Sequence, residues 1–349
     1  MARKPWEPDY EIVAPTPMRQ AIGERTQTSI RDLPQFDATR WVNAQALVED
    51  RAGRKSAGAD PLPSHNDYLL KLCGLVLEEM PLKKKVFGEV EEFIGDDTIL
   101  ATNTSSLSIT EMAADLKKPE RVVGFHFFNP VAVMPLLEIV KGKKTDDVTL
   151  STAFAMGKKI KKTSILMNDS PAFLVNRLLT RWMAEIMKIV DESKNDFKQI
   201  DDYCVSLGFP MTPFSLLALV GPAVALHVAE TLKGAFGDRF YISEGFKKMV
   251  ELKKPGVYDW EGNVDPEVAS GWPRGDKEFT QDEVIDRFLT ALTEECRMIL
   301  DEGVVSDAKD IDTCMIMGAG WPFFMGGLTK YLDQKGYSKK VTGKPLASS

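Results

Sequence analysis

Apolar and polar positions change rhythm twice along the chain. In residues 1–66 the apolar positions keep no period, and prolines interrupt them at Pro5, Pro8, Pro15, Pro17, Pro34, Pro61 and Pro63. That pattern reads as a Pro-rich tether, with one short strand at Tyr10–Val13 and one helical stretch at Thr39–Asp50. From residue 67 onward short apolar runs alternate with amphipathic stretches. Leu69–Leu77 is a compact apolar run with Gly74 inside it, and Thr98–Thr102, Val122–Phe128, Leu136–Val140 and Ser164–Asn168 read as strands. Between them Lys83–Ile94 reads as a helix with Val86, Phe87, Val90, Phe93 and Ile94 on one face. Ser108 and Glu111 form S-x-x-E, a capping box that opens a helix to Leu116, which Pro119 ends. Asp147–Lys161 is a further helix. Strands alternating with helices predict βαβ units and a largely parallel sheet.

After residue 168 only the helical period remains. Pro171 suits a first helical position, and the helix it opens runs from Phe173 to about Asp191. Residues 235–280 are polar and rich in Gly, Pro and Trp, which reads as a long connection or insertion. Helices resume at Gln281. VNRLLTRWMAEIMKIVDES and QIDDYCVSLGFPMTPF are echoed by IDRFLTALTEECRMILDEG and DIDTCMIMGAGWPFF, a weak internal repeat of one helical module. The predicted fold class is therefore α/β followed by all-α. Its divisions are a tether (1–66), a sheet domain (67–168), a first helical copy with a polar insertion (169–280) and a second helical copy (281–349).

Composition narrows the function. The 349 residues carry a net charge of −7 with no long basic run, which argues against nucleic acid as a partner. Cys73, Cys204, Cys296 and Cys314 are widely spaced and read as reduced cysteines. No apolar run reaches about 18 residues, so no transmembrane segment is expected. The start, MARKPWEPDYE, lacks the apolar core of a signal peptide, and a cytoplasmic location is expected. Two glycine patterns carry no nucleotide site. Gly53 to Gly58 is followed by Ala-Asp, not Lys-Ser, and Gly318-Ala-Gly320 follows a helix and reads as the turn that ends it.

The candidate chemistry lies in residues 101–142. His126, one of three histidines, sits in an apolar strand, and Glu138 lies in the next strand. An imidazole titrates near neutral pH, and a buried carboxylate fixes its tautomer. Residues just past strand ends line the ligand crevice of an α/β sheet, which brings Ser105, His126 and Asn129 together. The residues alone leave two readings open, a catalytic pair and a satisfied core histidine.

NTSSLSIT, GFHFFNPVAVMPLLEIV and DSPAFLVNRLL strongly resemble the L-3-hydroxyacyl-CoA dehydrogenase family, from about Glu78 to the C-terminus. The doubled helical module is similar to the dehydrogenase part of the multifunctional fatty-acid oxidation α subunits. The resemblance implies an incomplete Rossmann-like sheet followed by two helical modules of the family's C-terminal type. It also implies NAD as cofactor and acyl-CoA as substrate in fatty-acid β-oxidation. His126 matches the general base and Glu138 its partner. Ser105 and Asn176 match residues that hold the substrate oxygen. Glu78, Lys83, Ser105 and Asn129 match positions at the nicotinamide end of NAD. Bland readings stand beside these: a turn cap for Ser105, a helix-surface amide for Asn176, a solvated Lys-Lys-Lys face for Lys83.

One departure is large. The family begins with a strand and G-x-G-x-x-G, and nothing in residues 1–77 matches it. The alternative function is a truncated, non-catalytic family member that binds acyl-CoA or assembles with a partner while holding NAD weakly. A sheet without its first strands exposes an edge. Residues 1–66, a second copy or a partner subunit is expected to cover it.

Overall fold

The structure is a computed structural model, and it describes residues 80–347. The expectations on Tyr10–Val13, Thr39–Asp50, Leu69–Leu77, Cys73 and Glu78 lie outside those residues. The first element is α1 (Met80–Glu91). It ends two residues short of Phe93 because the Glu92 and Phe93 amides turn back onto Glu89 and Val90. The expected apolar face is thus incomplete: Phe87 packs on the core, whereas Phe93 is 87% exposed.

β1 (Leu100–Thr102) leads into α2 (Ile109–Ala113). Ser108 caps α2 by accepting the Glu111 amide at 3.1 Å, and its hydroxyl donates to Asp169 Oδ2 at 2.6 Å. The helix stops at Ala113 rather than Leu116, because the next amides close tight turns. β2 (Val122–Phe127), β3 (Leu136–Lys141), α3 (Asp147–Lys159) and β4 (Thr163–Asn168) complete the sheet region.

The sheet order is β1-β2-β3-β4. β1 and β2 are parallel, as are β3 and β4, but β2 and β3 are antiparallel. The expectation of a largely parallel sheet is corrected at this central pair. Residues 128–135 are too few for a crossover, which needs a dozen or more, so the chain can only fold back as a hairpin. The register sets His126 opposite Glu138 and Gly124 opposite Val140. Only glycine fits at 124, since a Cβ there would meet Val140 Cβ at 2.6 Å. One sheet face, with Val123, Leu137 and Ile139, packs on Leu150 and Ala153 of α3. The other face joins the main core with the helices that follow.

Those helices are α4 (Val175–Glu192), α5 (Phe197–Val205), α6 (Pro213–Val220) and α7 (Pro222–Phe236), then α8 (Glu244–Glu251) and α9 (Pro266–Gly271). α10 (Gln281–Asp301), α11 (Ala308–Ala319), α12 (Leu328–Gln334) and α13 (Tyr337–Thr342) follow. Pro171 is not the first helical residue. Residues 171–174 form a turn, and α4 begins at Val175. Residues 235–280 are more than a connection, because α8 and α9 bury Phe246, Met249 and Val268 in the core. Among the described residues no single helix is long and apolar enough to cross a membrane, and the apolar pair α6–α7 is bent by 98°.

The internal repeat has a structural counterpart. α4 buries Val175, Leu178, Trp182, Ile186 and Ile189 at helical spacing, and α10 buries Val284, Phe288, Leu292, Cys296 and Ile299. α5 and α11 each carry an Ile-Asp pair whose buried Asp caps the next helix of its copy. Asp201 accepts the Phe214 amide of α6 at 3.2 Å, and Asp312 the Thr329 amide of α12 at 2.6 Å. Gly320 ends α11 in the left-handed conformation, at φ 71°. Cys204, Cys296 and Cys314 are free and buried.

Burial pushes the carboxyls of both Asp201 and Asp312 above the ordinary range. The folded state then holds these protons more tightly than the unfolded state. Their contribution to stability is therefore lost as pH rises from the ordinary carboxylate value through the raised one. Asp312→Asn is expected to flatten the fall in melting temperature above about pH 4. Identical slopes in melts of both proteins between pH 3 and 8 would contradict this.

Candidate active site

The hairpin brings two distant residues face to face. Opposed residues of an antiparallel pair stand about 5 Å apart at Cβ and share a face. Across that gap His126 Nδ1–H donates to Glu138 Oε2 at 2.6 Å. Glu138 is wholly buried and His126 is 5% exposed. The second carboxylate oxygen, Oε1, accepts the Val175 amide at 3.0 Å. That amide opens the 18-residue helix α4, whose N-terminal end favours negative charge. The carboxylate is therefore held at both oxygens. With Nδ1–H engaged, His126 Nε2 presents its lone pair.

The turn before α4 makes this contact. Ala172 and Phe173 both adopt left-handed backbone, at φ 58° and 57°. Such conformations cost non-glycine residues roughly 1–3 kcal/mol each and persist where the surroundings impose them. Here the strained turn lays the Phe173 ring edge-on to His126, at 5.5 Å between centroids. Phe128 packs on the imidazole at 4.7 Å. Ring contacts and the carboxylate together fix the imidazole plane.

The loop after β1 is tied to the same place. Asn103 Oδ1 accepts the Phe127 amide at 2.9 Å, and Thr104 Oγ1 accepts the Leu107 amide at 3.1 Å. Asn176 Nδ2 donates to the Ser105 carbonyl at 3.3 Å. Asn176, Ser105, His126 and Glu138 are thus linked through one loop, one hairpin and one helix start. Asn129 is exposed beyond β2 and lines an apolar cavity of about 290 Å³. Lys83 lies half-buried on α1, and its neighbour Lys84 pairs with Asp115 at 3.5 Å. Glu78 lies outside the described residues. Among the described residues, no cluster of His, Cys, Asp and Glu could hold a metal ion.

Sequence reasoning missed three contributors. The Val175 amide that holds Glu138 is backbone and leaves no residue-type signal. Phe173 gives none either, since Phe is uncommon at positive φ. Arg177, one residue past Asn176, is fully buried and anchors α4 to α10, and its charge within an apolar helical face was the readable sign.

The profile of the 3-hydroxyacyl-CoA dehydrogenase NAD binding domain matches residues 72–170. The profile of that enzyme family's C-terminal domain matches residues 173–265. Together they cover more than half of the chain.

The chain belongs to the 3-hydroxyacyl-CoA dehydrogenase family.

Among relatives, the fatty acid oxidation complex subunit alpha of Acinetobacter baumannii is 36% identical over 327 residues, which cover 87% of this chain. The matched part is 45% of that protein's length, so the chain spans less than half of it. The crystal structure of 3-hydroxybutyryl-CoA dehydrogenase from Escherichia coli K12 shares the fold. Its TM-score is 0.63 at 22% identity, covering 88% of this chain and 89% of that one. FadB2 of M. tuberculosis matches at TM-score 0.50 and 27% identity, covering 60% of this chain and 80% of its own.

The matched NAD binding domain carries NAD as the family's cofactor. The polar groups at the crevice end fit the nicotinamide portion. The Ser105 hydroxyl, the Asn129 carboxamide and His126 Nε2 have no hydrogen-bond partner among the described residues. One buried hydroxyl in the same loop, Ser106 Oγ, is also unpartnered. A carboxamide-bearing ring beside an alcohol carbon needs donors and an acceptor of these kinds.

Proposed function

We propose that this chain oxidises L-3-hydroxyacyl-CoA to 3-ketoacyl-CoA with NAD in fatty-acid oxidation, His126 acting as general base and Glu138 as its partner. The observation that carries the reading is the buried His126–Glu138 pair at 2.6 Å, with Glu138 also held by the start of α4. His126 Nε2 takes the proton of the 3-hydroxyl. Glu138 stabilises the imidazolium that forms and keeps the ring in its working tautomer. Ser105 and Asn176 bind the substrate oxygen and orient C3, and alignment matters because hydride transfer needs close approach. Glu78, Lys83 and Asn129 hold the nicotinamide end. NAD, when bound, supplies the acceptor for the hydride that leaves C3.

A second reading rests on the sequence before Glu78, which has no G-x-G-x-x-G. On this reading the chain binds acyl-CoA or assembles with a partner, holds NAD weakly and does not turn over. Two titrations separate the readings. The first reading expects the full chain to bind both NADH and acetoacetyl-CoA. Binding of acetoacetyl-CoA with no NADH binding at millimolar concentration would replace it with the second.

A further inference from the structure

α3 turns one face to the sheet and the other to solvent. Leu150 and Ala153 pack on the sheet, whereas Val148, Ser151, Thr152, Ala155 and Met156 are exposed. From Val148 to Met156 the helix carries no charge. The two hydroxyls on its outer face are already used. Ser151 Oγ donates to the Asp147 carbonyl at 2.7 Å, and Thr152 Oγ1 to the Val148 carbonyl at 2.8 Å. Taking this face out of water therefore strands no hydroxyl donor. Val148 is 73% exposed, Met156 50% and Ile160, just past the helix, 40%. Positions 148, 156 and 160 fall on one row of four-residue steps, so these side chains form a single apolar ridge.

Cations stand at both ends of this ridge. Residues 141–162 hold seven lysines and two aspartates, a net charge of +5 in a chain whose total is −7. Lys141 pairs with Asp147 at 3.9 Å, and Lys162 donates to the Met134 carbonyl at 2.6 Å. The other five are exposed and form no ion pair among the described residues. Lys143 and Lys144 precede α3, Lys158 and Lys159 lie in its last turn, and Lys161 follows it. The helix dipole accounts for the last-turn lysines, but not for Lys143 and Lys144 at the opposite end.

We propose that the outer face of α3 docks on an anionic lipid surface. Val148, Met156 and Ile160 enter the boundary of the acyl region, and the lysines lie among the headgroup phosphates. An apolar ridge with basic flanks is the combination that holds a helix in the plane of a membrane interface. A purely acidic partner would match the lysines and leave the uncharged centre of the face idle, whereas a lipid surface matches both. Lysine stems lie along apolar surface while their ammonium groups stay at headgroup level. The contact is peripheral, because α3 has 13 residues and its inner face stays on the sheet. Each lysine held close to such a surface tightens binding about fivefold.

The test is flotation of the full chain with lipid vesicles. Equal parts of phosphatidylcholine and phosphatidylglycerol are compared with phosphatidylcholine alone. The chain is expected to float with the mixed vesicles at low salt, to be released as salt rises, and to stay behind with the neutral ones. Lys158→Ala combined with Lys159→Ala is expected to weaken the partition about 25-fold. Met156→Asp, which removes an apolar side chain and adds an anion, is expected to weaken it about as much. All three positions are exposed, so both variants are expected to melt as the wild type does. Equal flotation with neutral and mixed vesicles, or none with either, overturns the proposal. Flotation that both folded variants leave unchanged also overturns it. Polyglutamate bound as tightly as the mixed vesicles, and insensitive to Met156→Asp, assigns the face to an acidic polypeptide and overturns the lipid reading. None of these outcomes bears on the proposed function, which stands or falls with NADH and thioester binding.

Discussion

Turnover of acetoacetyl-CoA with NADH is expected to fall about 10²–10⁴-fold when His126 is replaced by Ala. The imidazole lies on the hairpin tied to the Ser105 loop and the start of α4, with its Nδ1 on Glu138, and Nε2 is its available nitrogen. Removing it leaves Glu138 wholly buried with the Val175 amide as its remaining bond. Part of the loss could then come from unfolding, because an unpaired buried carboxylate is costly. Glu138→Gln separates the two effects. It keeps volume and packing but replaces the charge that stabilises the imidazolium. Its loss is expected chiefly in kcat, with KM little changed. A Glu138→Gln chain that melts as the wild type does and turns over at an unchanged rate would refute the pair.

Arg177→Met is expected to destabilise the chain by about 3–5 kcal/mol, the range for removing one partner of a buried ion pair. Arg177 Nε donates to Glu295 Oε1 at 2.6 Å, and Nη1 and Nη2 donate to Glu302 at 2.6 and 3.0 Å. Nη1 also donates to Ser170 at 3.1 Å, just before the left-handed turn. The guanidinium lies over the Phe236 ring at 4.2 Å. One side chain thus joins the turn before α4, α7 and α10. Methionine fills the space but leaves Glu295 buried, with Arg239 Nη1 at 3.6 Å as its remaining cation among the described residues. Arg177→Lys keeps the charge without the planar fork, and is expected to recover only part of the loss. Urea titration of the three chains checks this, and an Arg177→Met midpoint equal to that of the wild type would contradict it.

Some of this architecture could be read directly from residue pattern. Strands Val122–Phe127, Leu136–Lys141 and Thr163–Asn168 are built around short clusters of large apolar residues, and such clusters announce themselves. Gly320 after an apolar helix read correctly as a helix end. The His126–Glu138 spacing was visible, but its meaning came from a hairpin that the expected parallel sheet concealed. The length of the 128–135 link was the available clue, since no crossover fits in it. The start of α4 was not legible. Ala172 and Phe173 hold a conformation neither residue favours, accompanied by the Phe173 ring contact to His126 and a turn bond from the Phe173 amide to the Ser170 carbonyl. α11's approach to β3 was hidden for a related reason. Gly318 read as part of a turn, whereas its missing Cβ matters to Leu136, nearly two hundred residues away in sequence.

The most direct test of the central claim is the loss of NADH absorbance on adding acetoacetyl-CoA to the full chain, beside the same chain carrying His126→Ala. The proposed function predicts steady NADH consumption that requires both substrates and nearly vanishes in the variant. Consumption that persists undiminished without the imidazole, or none at all from a wild-type chain that binds both substrates, would contradict it.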